Sequence, residues 1–452
     1  MTISGNIDKY LTNYSVGGRW NIISESLDGI DNVVVIPALA ESGHIFKTLA
    51  GLSKNPRAEL SRTLVVCVIN NADAGNMPAD EFTDNQYTLK ILRCLIGDDE
   101  GDLPNFWQSE LFDGIRQSGL RIAYVDASSP GLEMPVRTAG VGFARKIGLD
   151  LALGAFDYEN DCPKLLFSLD ADTLVERNYL SVVRNSFEKE KATTSVIAFA
   201  HQDADSADEQ AAICCYEIFL RYYVLGLRVA GSPYAFHSIG STMVCAAEGY
   251  AAVRGMNKRR AGEDFYFLDK LAKIGGMGRI NTTTVHPSSR PSHRVPFGTG
   301  KRIIRFTEGK GSEYTLYNPR SFAVLKEWLE YMSSCRDMDP ETILARARDM
   351  HPSLDVFLRV NHFGETWRRL AENSGDMAHL CTHFSLWFDG FKTFKLIRHL
   401  TNNGLSPVDM FTALKQLMEM MGKELPVEVN PGSVPPLQDQ MEILDYLRKI
   451  DR

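Results

Sequence analysis

The chain has 452 residues, 44% hydrophobic, 23% charged and 10% aromatic, an ordinary globular composition that excludes a wholly disordered, collagen-like or coiled-coil protein. Lys and Arg total 49 against 57 Asp and Glu, a formal charge of -8, so nucleic acid is not an expected partner. At about 150 residues per domain, the length implies two or three domains, each with its own core. No run of about 18 uncharged apolar residues occurs, so no membrane span is expected. The opening residues lack the continuous apolar core of a signal peptide. The 8 cysteines are irregularly spaced, with no CxxC. We therefore read them as reduced core residues of a cytoplasmic protein.

In chain order, Val33–Ile36 is a continuous apolar run ending at Pro37, as a buried parallel strand requires. Glu41 to Leu52 follows with Ile45, Leu49 and Leu52 at helical spacing. Apolar runs Leu64–Ile69 and Ile122–Val125 stop at Asn70-Asn71 and at Asp126. Ala139–Leu153 has a helical pattern, and Leu165–Leu169 is a fourth strand ending at Asp170. Strands alternating with helices predict a doubly wound, Rossmann-like α/β layer with a mainly parallel sheet. Ligands in such folds bind beyond the carboxyl ends of the strands, where these polar residues collect.

Residues 211–228 form an amphipathic pattern with Glu217, Arg221 and Arg228 on a narrow stripe, expected as a half-buried domain helix, with lipid contact as the alternative. After residue 306 strand-like runs give way to helical ones, interrupted at Pro319, Pro340, Pro352 and Pro407. The expected division is an N-terminal extension over 1–30, an α/β domain over 31–306 and an α-helical C-terminal domain over 318–452.

Three segments carry chemistry. Asp170 and Asp172 stand two apart where a strand gives way to a loop; carboxylates so placed suit Mg²⁺ or Mn²⁺ held together with substrate phosphates. Glu263-Asp264 opens a helical pattern, either as simple capping acids or as a general base at the mouth of the sheet. His286 to Arg302 is rich in Pro, Gly and Ser and concentrates His286, His293, Arg290, Arg294, Lys301 and Arg302. It is either a solvated linker or a mobile basic loop that closes over phosphates, with a histidine completing a metal's ligands.

In this order the three segments resemble family-2 glycosyltransferases of the GT-A fold, over roughly residues 30–300. VVVIPALAES is similar to the family's opening strand and turn, with Pro37 and Glu41 at its usual positions. LVVCVINNADAG resembles the second strand, whose acidic end contacts nucleobase and ribose. Here Asn70 and Asn71 replace the usual Asp pair and Asp73 comes later. GVGFARKIGLDLAL resembles the Gly-x-x-x-Ala-Arg helix, which implies Arg145 near the donor. The resemblance implies that Asp172 holds the metal, that Asp170 meets the donor ribose or the metal, and that Asp264, or secondarily Glu263, is the base. His286 or His293 would complete the metal site, and Arg290, Arg294, Lys301 and Arg302 would meet the diphosphate. The implied partners are a nucleotide-sugar donor and a carbohydrate, lipid-linked or small-molecule acceptor, with peripheral membrane contact and homo-oligomerisation open. The implied course is a single inverting displacement, with retention as the alternative.

Other readings compete. Asp170-x-Asp172-Thr173 also has the form of a haloacid-dehalogenase phosphatase motif with Asp170 as nucleophile, although that motif normally opens its domain. Gly140-Val-Gly142 half-matches a dinucleotide fingerprint but lacks its third glycine. A non-catalytic binding protein of the same fold is a third class. His379 and His383, four apart, are expected as core or capping residues, since no Glu follows His379 as a metalloprotease helix would require.

Overall fold

The computed structural model describes residues 4–71, 77–97, 109–259, 261–292, 298–309, 313–336 and 338–452. They form two compact units. The first takes the described residues of Met1–Gln202 and Ser238–Ser288; the second takes those of Asp203–His237, Ser289–His293 and Gly298–Arg452.

The first unit is built on a mixed sheet with nine strands among the described residues. They are β1 (Ile23–Ser24), β2 (Asn32–Ala38), β3 (Thr63–Asn70), β4 (Arg121–Ala127), β5 (Leu165–Ser168), β6 (Leu174–Val175), β7 (Thr194–Phe199), β8 (Met243–Ala246) and β9 (Gly278–His286). Their spatial order is β1-β4-β3-β2-β5-β8-β7-β9-β6. The longest ladders are parallel: β4 with β3, β3 with β2, β2 with β5, and β7 with β9. Every residue of β2 and β3 is buried, which is why these strands read as unbroken apolar runs rather than alternating ones. Pro37 is tolerated because the β2–β5 ladder ends at Val35–Ser168, so no strand residue opposite it there awaits a donor.

Helix Val141–Ala152 lies on β2 and β3, and Gly148 permits the approach. A Cβ there would come within 2.4 Å of a Val35 methyl and 2.8 Å of a Val68 methyl. The antiparallel strand β8 joins the two parallel groups by pairing with both β5 and β7. At the far edge, β6 runs antiparallel to the end of β9 and sets Leu174 opposite His286.

The N-terminal residues are part of this unit rather than an appendage. Helix Gly5–Asn13 buries Ile7 and Tyr10, and β1 extends the sheet beside β4. The Tyr10 and Tyr250 hydroxyls donate to Asp150 Oδ1 at 2.6 and 2.5 Å, while Val16 N–H donates to Oδ2 at 2.7 Å. Lys146 completes this buried group at 2.9 Å from Asp150. The polar look of the segment hides its packing, because its anchors are one isoleucine and aromatic hydroxyls.

The second unit is helical, with a small antiparallel pair of strands, β10 (Thr315–Leu316) and β11 (Val408–Asp409), that are remote in sequence. Trp328, Trp367, Phe322 and Phe411 are fully buried in its core. Pro340 and Pro352 open helices at the first turn, where a missing N–H costs nothing. Helix Ala207–Val229 belongs here, so the expected single boundary near 306 is replaced by an excursion of the chain at 203–237. Gly226 lies against the Phe322 ring, where a Cβ would approach within 2.5 Å. The stripe on this helix is turned inward rather than solvated, with Glu217 fully buried and Arg221 only 3% exposed. Among the described residues no helix is long and apolar enough to cross a membrane, and all eight cysteines are free thiols.

Candidate active site

The parallel strands β2 to β5 deliver their carboxyl ends to one edge of the first unit, and Asp170 follows β5 after one intervening residue, Leu169. From the helix on β2 and β3, Arg145 reaches this edge, 3% exposed. Its guanidinium pairs with Asp170 through Nη2 and with Glu263 through Nη1. The two acidic segments, far apart in the chain, therefore meet on one arginine. Two glycines make room for it. A Cβ on Gly240 would fall within 2.2 Å of Arg145 Nη2, and one on Gly142 within 2.4 Å of the Arg259 carbonyl and 2.8 Å of Glu263 Cβ.

Asp170 is held by both oxygens. Oδ1 meets Arg145, and Oδ2 accepts from the Ser241 hydroxyl at 2.5 Å; Ser241 also lies 3.0 Å from Thr173 Oγ1. A carboxylate engaged at both oxygens is a poor nucleophile, which counts against the phosphatase reading. Glu263 is 3% exposed and paired with Arg145. Asp264, next to it, is half-buried. Burial first, and then the Glu263 charge, push its carboxyl from 3.8 up to about 7 against the opposing pull of Arg145 and of the Phe265 N–H, which donates to it at 2.7 Å. Burial alone would lower the Arg145 pKa, but Asp170, Glu263 and Asp264 raise it further, so it remains a cation. One arginine among three carboxylates leaves this edge with an excess of negative charge that protons or a divalent cation would relieve.

Asp172 lies on the loop leading into β6, next to His286 at the end of β9. The side-chain amide of Gln202 donates to the carbonyls of both residues, at 2.8 Å to Asp172 and 2.7 Å to His286. His286 Nδ1 is 3.0 Å from the Ala200 carbonyl and in its neutral form donates to it, which turns Nε2 into the lone-pair nitrogen. Nε2 is 3.5 Å from Glu176. Among the described residues no group of three or more His, Cys, Asp or Glu is placed to hold a metal ion. One carboxylate and one oriented imidazole nevertheless suit a Mg²⁺ or Mn²⁺ that takes its remaining ligands from phosphates and water.

Glu41 is 9% exposed at the start of helix Ser42–Leu52, close beyond β2 and Pro37. Asn70 donates to the carbonyls of Ala38 at 3.0 Å and Val68 at 3.2 Å, and Asn71 to Ser128 at 3.1 Å. Through these Nδ2 groups both side chains fasten strand ends. Asp73, His293 and Arg294 lie outside the described residues. Arg290, Lys301 and Arg302 belong to the second unit, where Arg302 pairs with Glu313 at 3.2 Å. His383 bonds Ser374 at 2.9 Å, and His379 sits beside its capping residue Asp376. Sequence reasoning missed Ser241, Gln202 and the buried Asn85. Asn85 bonds the Asn70 carbonyl at 2.8 Å and Ser128 at 3.0 Å.

No family model and no curated protein matches this chain. Among solved structures it is similar to S. aureus TarS 1-349 in complex with UDP-GlcNAc, at 11% identity and TM-score 0.38, over 79% of this chain and 91% of that one. It is also similar to the mannosyltransferase PcManGT from Pyrobaculum calidifontis in complex with GDP-Man and Mn²⁺, at 13% identity and TM-score 0.35, over 84% and 92%. GalNAc-T7 with UDP, GalNAc and Mn²⁺ matches at 12% identity and TM-score 0.32, over 68% and 52%.

Proposed function

We propose that the chain is a metal-dependent glycosyltransferase that moves a sugar from a nucleotide-diphosphate donor to an acceptor hydroxyl with inversion. The observation that carries this reading is the meeting of Asp170, Arg145 and Glu263, with Asp264 alongside, at the carboxyl edge of the parallel strands. This brings together in space the motifs whose order resembles family-2 enzymes. Asp172 and His286 are the residues that would hold Mg²⁺ or Mn²⁺, and the bound ion would offset the charge that develops on a departing diphosphate. Asp170, fixed by Arg145 and Ser241, is set to accept hydrogen bonds from a donor ribose. Asp264 takes the proton of the attacking acceptor hydroxyl, and its raised pKa makes it a stronger base than an ordinary carboxylate. Arg145 pairs with Glu263 beside it, and the Glu263 charge adds to the burial that raises Asp264.

A thermal-shift panel of UDP-, GDP-, CMP- and dTDP-sugars, each with and without Mn²⁺, tests the reading. One nucleotide should raise the midpoint only with metal, and Asp172→Asn should abolish that rise. The absence of a shift with any donor, or a metal-dependent shift that survives in Asp172→Asn, would overturn it.

A further inference from the structure

Beside the carboxylate cluster the first unit carries a group of cations. Arg254, Lys258, Arg259 and Lys270 are all exposed, and among the described residues Arg254, Lys258 and Arg259 form no ion pair with a carboxylate. Held close together, such like charges repel one another, and a bound anion would relieve that repulsion. Three of the four are braced on aromatic rings. Arg259 lies 3.7 Å from the Tyr266 ring centroid, Arg254 5.1 Å from Tyr14 and Lys258 5.4 Å from Phe143. Stacking restrains the side chains, so less conformational entropy is lost when they bind an anion. Lys270 is tied back to the Val253 carbonyl at 3.3 Å. Burial and then its cationic neighbours, Arg254 and Arg259 among them, lower its pKa, as expected where like charges are held together.

The position of these cations says what they are for. The Arg259 carbonyl occupies the space that a Cβ on Gly142 would take, against the helix that carries Arg145, and Glu263 Cβ shares that space. Asn257 links the two segments by donating to the Glu263 carbonyl at 2.9 Å and accepting from the Arg259 N–H at 3.1 Å. The segment that carries Lys258 and Arg259 is therefore fastened next to Glu263 and Asp264, the proposed base, whereas the residues suited to the metal are Asp172 and His286.

Resting on the transferase reading above, we propose that Arg254, Lys258, Arg259 and Lys270 form a docking surface for an acceptor that carries phosphate groups. The phosphates lie against the cations, and the hydroxyl to be glycosylated is thereby presented to Asp264.

Fluorescein-labelled linear polyphosphate, followed by fluorescence anisotropy with the full chain, is the probe. The wild-type protein should bind it with an affinity that falls as salt rises. Lys258→Glu/Arg259→Glu should weaken binding about tenfold or more while keeping the wild-type melting midpoint and the metal-dependent nucleotide shift. The neutral pair Lys258→Gln/Arg259→Gln should fall between the two. Failure of the wild type to bind, or equal binding by the charge-reversed protein, would overturn the proposal. Loss of the nucleotide shift in the charge-reversed protein would also overturn it, by assigning the cations to the donor. So would binding to phosphatidylglycerol/phosphatidylcholine vesicles without binding to polyphosphate, since the surface would then meet membranes. Polyphosphate binding that depends on the cations, in a protein that shows no nucleotide shift, would remove the transferase reading and leave the anion site standing.

Discussion

Asp264 is pulled two ways, and its behaviour with pH follows from which pull wins. Burial and the ionised Glu263 outweigh Arg145 and lift its pKa from 3.8 to about 7. Because the folded value lies above the unfolded one, the group favours the fold fully below 3.8, and that contribution is lost as pH rises through about 7. The ionised base is thus made at the expense of stability. Transfer should climb with pH through about 7 and then level off. Asp264→Asn should retain the nucleotide shift but lose transfer by about a hundredfold or more. Its melting midpoint should exceed that of the wild type at about pH 8, and the gap should close towards about pH 4. Wild-type transfer rates in Asp264→Asn would remove it as the base. Arg145 stands at the other pole: with Asp170, Glu263 and Asp264 around it, Arg145→Gln should destabilise the chain by about 3–5 kcal/mol, read by chemical denaturation. A loss well under 1 kcal/mol would mean that the cluster readjusts around water or a bound cation.

Elements bring these residues together, and how legible each element was depends on what its burial did to the sequence. Strands β2, β3, β4 and β5 were visible as apolar runs because both faces of the sheet are covered, and the polar residues that end them marked the edge where Arg145 meets Asp170 and Glu263. The β7–β9 half was not visible. Strand β9, GRINTTTVH, is polar at most positions and its burial is broken, so it lacks both an apolar run and a clean alternation. Among the residues of the proposed site, Asp170, Asp172, Glu263, Asp264 and Arg145 stood out in the sequence as local pairs and motifs. Ser241 and Gln202 were not, because their roles exist only once distant segments meet. Gln202 ties the loop before β6 to the end of β9 through its two amide hydrogens. Gln202→Ala should therefore loosen Asp172 and His286 together and weaken Mn²⁺ binding about tenfold, as measured by electron paramagnetic resonance in the presence of the nucleotide. Gln202→Glu supplies only acceptors and should do no better. Unchanged Mn²⁺ affinity in both variants would show that the clamp does not position the metal residues.

At the scale of the whole molecule, the chain forms two compact units, and the helical one adds a buried charge network to its apolar core. Asp451 receives Arg221 at 2.7 Å, Arg228 at 2.6 Å and His237 at 2.6 Å. Glu217 binds Arg221 and Arg448, both at 2.8 Å. These partners join helix Ala207–Val229 to helix Leu437–Asp451, which are remote in sequence and flank the same core. Burial alone would raise the Asp451 pKa, yet His237, Arg221 and Arg228 bring it down to about 2. The folded value lies below the unfolded 3.8, so its contribution is complete above 3.8 and is lost as pH falls through about 2. Truncating the carboxylate leaves two arginines facing each other without their acid, and Asp451→Ala should cost about 3–5 kcal/mol, followed through the emission of the buried Trp328 and Trp367. Adding Arg228→Ala to that variant should recover part of the loss, because it removes one of the stranded charges. The difference between wild type and Asp451→Ala should shrink as pH is lowered from about 4 towards 2, where the native carboxylate takes up its proton. A single variant that melts with the wild type at neutral pH would mean that apolar packing around Phe322 and Trp328 holds these helices and the charges are passengers.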